Sequence, residues 1–531
     1  MDRTEHRIEA LEQRTHLSVS SSNLPLSFDG PGFDSAQKIV PTADGFVVAG
    51  LFSGRVDFDP SAGRRRLTAR GDTDIYVASF DGTGNFQWVT QFGGDHTDKA
   101  MQEFKRRDVL TNPRRLGSFI GRVGEQPREA GEYITDLKVD IQGNIVLGGA
   151  FKKTIQIGNR TLTADETIDE DFYDGMVVKL TANGALAWVY NFGGPFDDVA
   201  MSVGFDGAAN VVVGGYFTRQ ADFDPGRRVL QLTTLGRDAG FVARLSALGK
   251  MSWVYQFGGE SGDRLIRNAV NDVAVTARGE VYFGGTFGDT VDFDASKGVR
   301  EIKSEGQNDA VLGKLNRKGA LSWVVSTGGD QADGNSAVAL DPSGNVYTAG
   351  YFTDEADVDP RPGVNKILKA STEEGDSKSD FNDILVSKFT TDGAPLWQSQ
   401  MGGGLIELIA DLEVAANGTI YTTGSFFGKA DFSPGPGTAF LTSTATNDGS
   451  IKDSNTNFGR DESYDWFVVS LSPRGKFVAG AKFGGADDDF ASGLGLVDNQ
   501  VLLAGRQVNA VGERDDRDEQ SLVRLLGANL A

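Results

Sequence analysis

A glycine pair, or a close variant of it, recurs along this chain with its second glycine at positions 30, 94, 194, 259, 329, 403 and 485. A repeated unit decides the architecture before any single element is assigned. After the pair comes an alternating stretch ending in a polar turn, as in "AVALDPSGN" (337–345), "DVAVTARGE" (272–280) and "DLEVAANGT" (411–419). A second segment follows: "FVVAGLF" (46–52), "VVVGGYF" (211–217), "VYFGGTF" (281–287), "VYTAGYF" (346–352), "IYTTGSF" (420–426). A third reads "DIYVASF" (74–80), "DGMVVKL" (174–180), "DILVSKF" (383–389) or "DWFVVSL" (465–471). A glycine turn leads to the fourth, headed by Trp88, Trp188, Trp253, Trp323 or Trp397 and running into the next glycine pair.

Short period-2 segments separated by turn residues predict antiparallel strands, four to a unit. One four-stranded sheet cannot bury both faces, whereas sheets stacked radially cover one another, which is the arrangement of a β-propeller. The seventh unit ends at Ala531, before its fourth strand. The missing piece stands at the other end, because "LPLSFDGPGFDSA" (24–36) aligns without a gap on "WVYNFGGPFDDVA" (188–200). The fold predicted is therefore all-β: a seven-bladed propeller of four-stranded antiparallel blades over 24–531, closed by residues 24–28 as the outer strand of blade seven. Residues 1–23 form a separate tail, and an inserted loop occupies about 99–133.

The stretch "FGGESGD…VNDVAVTARGEVYFGGTFGDTVDFD…NDAVLGKLNRKGALSWVV" resembles the bacterial SBBP-type propeller repeat family, and the pattern extends over nearly all of 24–531. That resemblance implies the fold and no family-wide enzymatic activity. In the tail, "IEALEQRTHLS" (8–18) is similar to the LEPR-x-L-L motif of planctomycete extracellular proteins: Leu11, Glu12, Arg14 and Leu17 match, while Gln13 and His16 depart. It implies export to the cell exterior or surface. The "ALGKMSW" turn (247–253) is similar to that of pyrroloquinoline-quinone propellers. Those enzymes typically have eight blades and often a disulfide of adjacent cysteines, neither of which this sequence offers. The tryptophans are read instead as core between blades.

Composition removes several functions. A net charge of -22 with a pI near 4.6 opposes binding to a nucleic-acid backbone. The chain has no cysteine, and its three histidines are His6, His16 and His96, so thiolate chemistry is impossible and histidine chemistry nearly so. No apolar run approaches a membrane span, and no ordinary signal peptide is visible in residues 1–20. A monomer is expected.

In such blades the 4-to-1 and 2-to-3 connections share one face. The long insertions, 99–133, 369–382 and 442–464, all belong to it, so a working face is expected there. Four residues past the second glycine stands a carboxylate in every unit: Asp34, Asp98, Asp198, Asp263, Asp333, Glu407 and Asp489. Symmetry places them as a ring at the channel mouth, where they either hold a cation such as calcium or cap backbone N–H groups. A turn needed seven times favours the cap.

A second acidic element is "VDFDP" (56–60) and its relatives, with Asp57 and Asp59, Asp222 and Asp224, Asp292 and Asp294, Asp357 and Asp359. Alternation puts both acids of a pair on one side and the intervening residue on the other. The pairs are candidate calcium ligands or solvated turn caps, although no complete D-x-[DN]-x-[DN]-G loop is present.

The basic stretch 101–132 is either a solvated surface or a lid on the acidic ring, through Lys105, Arg106, Arg107, Arg114 and Arg115. Arg264 and Arg267 in blade four are the other breaks in symmetry. Together these features predict an exported, non-enzymatic propeller that binds a protein, glycan or surface polymer, or acts structurally. The alternative is a carbohydrate-active enzyme using two carboxylates at the channel mouth.

Overall fold

The computed structural model describes residues 26–28, 34–94 and 131–530, except 60, 62, 166, 169–171, 225–228, 264–266, 295, 297, 372–381, 404–405, 436, 445–462, 486–488, 498–499, 511–516 and 528–529. The tail 1–23, the proposed lid residues Lys105, Arg106, Arg107, Arg114 and Arg115, and Asp98 and Arg264 lie outside these residues. All described regular elements are β-strands.

Seven antiparallel blades follow one another around the ring. Blade one runs Asp34–Pro41, Gly45–Phe52, Asp74–Asp81 and Phe86–Gly93, and every later blade repeats that order from the inside outward. Blade seven takes three strands from the C-terminal end, Phe490–Val497, Gln500–Ala510 and Arg517–Gly527. Its fourth is Leu26–Phe28, paired antiparallel as Leu26↔Val523, Ser27↔Leu522 and Phe28↔Ser521. The ring is therefore closed by strands from near the two ends of the chain, with Leu26–Phe28 as the outer edge of blade seven.

The central stretches of the second strands are buried, as in Gly45–Phe52 and Val281–Phe287, because each is sandwiched within its own sheet and between neighbouring blades. Fully apolar strands are the expected signature of that position. The first strand of every blade carries a bulge, for example between Asp136 and Ile134 or between Asp272 and Val270, which turns it sharply around the axis.

Two devices fasten one blade to the next. The fourth-strand tryptophans reach across the seam onto the glycine of the following blade's 3-to-4 turn: Trp88 on Gly184, Trp188 on Gly249, Trp253 on Gly319, Trp323 on Gly393 and Trp397 on Gly475. Those glycines have φ between 72 and 81°, and a side chain there would strike the indole. Four of the indoles also donate Nε1–H to a carbonyl of that turn, at Ala247, Arg317, Thr391 and Pro473, 3.0 to 3.3 Å away.

The second device is a small ribbon between strands two and three, which in blades two, three, five and six joins the fourth strand of the preceding blade and in blades one and four forms a separate two-stranded sheet. Thus Gly328 and Gly329 pair with Asp357 and Ala356, and Gly402 and Gly403 with Asp431 and Ala430. The Asp-Phe-Asp segments form these ribbons, and Phe58, Phe223, Phe293 and Phe432 are wholly buried beneath them. Burying one such ring contributes about 1.5–3 kcal/mol.

Candidate functional site

Five of the ring carboxylates stand where the repeat puts them. Asp34, Asp198, Asp333, Glu407 and Asp489 open or precede the first strands, and each is at most 1% exposed. Asp263 needs correction, and in blade two the equivalent place is held by another residue, Asp98 itself lying outside the described residues. In blade two the place opposite Phe151, equivalent to Asp34 opposite Phe52, belongs to Glu132, far beyond the insertion that separates it from Gly94. In blade four it belongs to Asn268, which precedes the Ala269↔Thr286 pair, whereas Asp263 is exposed in the preceding loop. Counting forward from the glycines fails in both because the 4-to-1 loop is longer there. Counting back from the apolar pattern of strand one finds both residues.

Four of the ring acids fasten the seam in front of their blades. Asp198 accepts the Gly194 N–H at 2.7 Å and the Thr218 N–H at 3.0 Å, and Asp333 accepts those of Gly329 and Thr353 at 2.7 and 2.9 Å. Glu407 takes the Gly403 N–H at 3.0 Å, and Asp489 that of Gly485 at 2.6 Å. The second glycine of these four pairs thus supplies a donor. It also lies against the ribbon backbone, where a side chain would not fit, as at Gly329 against Glu355 and Gly403 against Lys429.

A second set of acids, unrecognised in the sequence, faces the first. Asp74, Asp174, Asp309, Asp383 and Asp465 open the third strands of blades one, two, four, five and six or stand within their first residues, and Asp238 lies midway along Gln231–Leu245 of blade three, all buried. Their signal was the Asp heading the third segment of the repeat. The first glycine of each pair leaves room for this carboxyl, and a side chain at Gly93, Gly193, Gly328, Gly402 or Gly484 would collide with it. At Gly402 the same point lies 3.0 Å from Glu407 Oε2 as well, and at Gly484 it lies 3.0 Å from Asp489 Oδ2. Burial pushes Asp174 and Asp309 up to about 7 and Asp383 up to about 6. Burial also raises Asp198, Asp333 and Glu407 well above the carboxylate range, with the facing acid adding to the shift.

The peripheral pairs are turn caps. Asp57 Oδ1 accepts the N–H groups of Arg65 at 2.8 Å and Asp59 at 3.4 Å; Asp222, Asp292 and Asp357 hold Leu230, Arg300 and Lys366 in the same way. The second acids, Asp224, Asp294 and Asp359, have N–H groups bound by the first at 3.0 Å. Asp59, Asp294 and Asp359 in turn cap Ser61, Ser296 and Arg361. Calcium takes about six to eight oxygens. Among the described residues no group of three carboxylate or imidazole side chains converges.

Along the axis the structure holds a group that the sequence did not announce. Asp136, Asp272 and Asp411, at the first-strand bulges of blades two, four and six, each accept the N–H of their own next residue. Each also accepts one from the following blade: Val203 at 2.9 Å, Val338 at 2.6 Å and Leu494 at 2.9 Å. Ser202 Oγ lies 3.0 Å from Asp136 and 2.6 Å from Asp272, completing the belt in blade three. Lys138 Nζ stands 3.8 Å from Asp136, with its side chain 34% exposed to the channel. Burial opposes charge on Asp136, yet Lys138 and Lys38 hold its carboxyl below the usual value. Burial raises Glu413 to about 7 and Asp272 to about 6 against the pull of Lys138.

The looped face departs from sevenfold symmetry at blades two to four. Phe172 and Phe196 meet edge-on at 5.4 Å, and the exposed Arg219, at φ 61°, lies over Phe196 at 4.9 Å. Arg267 lies over Tyr216 at 4.6 Å, and Lys152 over Tyr173 at 4.5 Å, with Tyr133 against Tyr173 at 5.1 Å. Cations stacked on rings keep N–H edges directed away from the ring.

No protein-family model matches the sequence, and no curated protein matches it. Solved structures similar to it in fold include the WD40 β-propeller domain of Doa1, at 8% identity over 75% of this chain and 91% of that one, with a TM-score of 0.27. Sqt1 from Chaetomium thermophilum is 10% identical over 75% and 97% of the two chains, TM-score 0.27. A member of the duf4221 family from Bacteroides vulgatus is 7% identical over 71% and 92%, TM-score 0.27.

Proposed function

We propose that this chain is an exported, non-enzymatic scaffold of the SBBP-repeat type that binds an acidic glycan or surface polymer through its looped face. The observation carrying this reading is the stacked Phe172, Phe196 and Arg219 group with Arg267 on Tyr216: in a protein of net charge -22, cations on aromatic platforms mark one part of the mouth. Planar rings suit sugar faces, and guanidinium edges suit carboxylates or sulfates. The motif-like tail supports export. The enzymatic alternative is less favoured, because Asp198, Asp333, Glu407 and Asp489 are buried in the seams and already accept backbone N–H groups.

Affinity electrophoresis through gels containing polygalacturonate, alginate or neutral dextran tests the reading. Retardation by the acidic polymers alone is expected, and it should be abolished in the Phe196→Ala, Arg219→Ala double variant. Equal mobility in all gels, or retardation untouched by the variant, would overturn it.

A further inference from the structure

The seam acids pose a charge problem. At the seam between blades four and five, Asp309 and Asp333 face each other at 2% and 1% exposure. At the next seam Asp383 and Glu407 do so at 0% each. Among the described residues neither pair forms an ion pair with a lysine or arginine. The other titratable groups near the first are Glu305 and the buried Tyr351, which add no positive charge. Around the second pair the donors are neutral: Ser371 and Gln400 to Asp383, and the Gly403 N–H to Glu407. Two buried carboxylates side by side without a counter-charge are strongly disfavoured.

Counting hydrogen bonds shows what is missing. Asp333 receives a backbone N–H on each oxygen, and Asp309 receives the Glu305 N–H at 3.1 Å on Oδ2. Asp309 Oδ1 is buried with no donor. At the next seam the roles reverse: both Asp383 oxygens have donors, and Glu407 Oε2 is buried with none, pointing with Asp383 Oδ1 at the space beside Gly402. One hydrogen per pair removes both deficits, because the orphaned oxygen becomes an O–H donor while its partner stays an acceptor carboxylate.

Neighbouring seams answer the same demand differently. Between blades three and four the ring position is Asn268, and Asp238 pairs with Arg237 at 3.2 Å. Between blades six and seven Asp465 also has an orphaned Oδ1, but Lys482 lies 2.6 Å from its Oδ2 and supplies the positive charge.

We propose that the Asp309–Asp333 and Asp383–Glu407 pairs are proton-binding sites, each holding one proton between its two carboxyls and so fastening blades four, five and six to one another. Their proton affinity in the fold exceeds that of free carboxyls, with Asp309 raised to about 7 and Asp383 to about 6 by burial. The sign follows: the folded chain binds protons that the unfolded chain has lost. This stabilisation is therefore complete below about pH 4 and is lost as pH rises through the raised folded values, about 7 for Asp309 and well above the usual carboxylate range for Glu407. A divalent cation is the rival occupant, but among the described residues no third carboxylate or imidazole converges on either pair.

The test is the thermal midpoint of the full chain from pH 5 to pH 8, with chelator and with added calcium. The Asp309→Asn, Glu407→Gln double variant puts a neutral amide donor where each proton is assigned. The midpoint of the natural chain should fall as pH rises in chelator, and the variant should show a flatter profile. As a second readout, calorimetric unfolding at pH 5.5 in buffers of different ionisation enthalpy should show the natural chain releasing about two more protons than the variant. An unchanged pH profile with equal proton release would overturn the proposal. So would a midpoint at pH 8 that calcium restores in the natural chain but not in the variant, which would assign the pairs to a cation.

Discussion

Ala479 of blade six occupies the place that Trp397 holds in blade five: Trp397 pairs with Lys388 across strands three and four, and Ala479 pairs with Ser470 at the same bulge. The difference has a cause in the next blade along. Trp397 has the 3-to-4 turn of blade six to lie on, at Gly475 and Pro473. Blade seven has no such turn, because its third strand is C-terminal and its fourth is Leu26–Phe28. The latch is absent where its receiving surface is absent.

Trp397→Ala should therefore cost about 2–3 kcal/mol, less than the ~3–5 of a fully buried tryptophan because this one is half-exposed. Ala479→Trp should add no stability. The shift of the urea midpoint in each variant checks both statements.

Glycine placement gives a sharper contrast. At Gly402 a side chain would strike the Asp383 carboxyl, whereas at Gly262, in an exposed loop, nothing lies within 4 Å. Gly402→Ala is expected to lower the thermal midpoint by several degrees, and Gly262→Ala to leave it within a degree or so. Differential scanning fluorimetry of the two variants decides this.

The channel cluster predicts a pH-dependent substitution. Glu413, raised to about 7, and Asp272, raised to about 6, are mostly neutral at pH 5 and charged at pH 8. Lys138 offsets that charge, so Lys138→Met should destabilise the protein more at pH 8 than at pH 5. Denaturant midpoints at the two pH values measure the difference. An equal loss at both would show that Lys138 acts through its aliphatic stem alone.

The strands, their order and the closure of the ring were legible because alternation and turn glycines are local signals that repeat. The ring acids were legible where the loop before them was short, as at Asp198 and Asp333, and misplaced where it was long, at Glu132 and Asn268. Asp309 and Asp383 escaped notice because a single polar residue at the head of an apolar strand looks like a strand boundary. Its significance lies in the facing acid of the next blade, which only the packing of blades reveals. Likewise Phe58 was readable as buried from alternation, but the pairing of the adjacent ribbons with the preceding blade, as in Gly328↔Asp357, is a contact between units that no local pattern encodes.

The central claim is that residues near the two chain ends complete one blade and thereby lock the ring. Thermal unfolding of two truncations, lacking residues 1–23 and 1–30, tests it most directly. The first retains Leu26–Phe28 and should melt like the full chain, whereas the second loses the strand paired to Val523, Leu522 and Ser521 and should melt well below it, with a broader transition. Identical melting of the two truncations would contradict the closure.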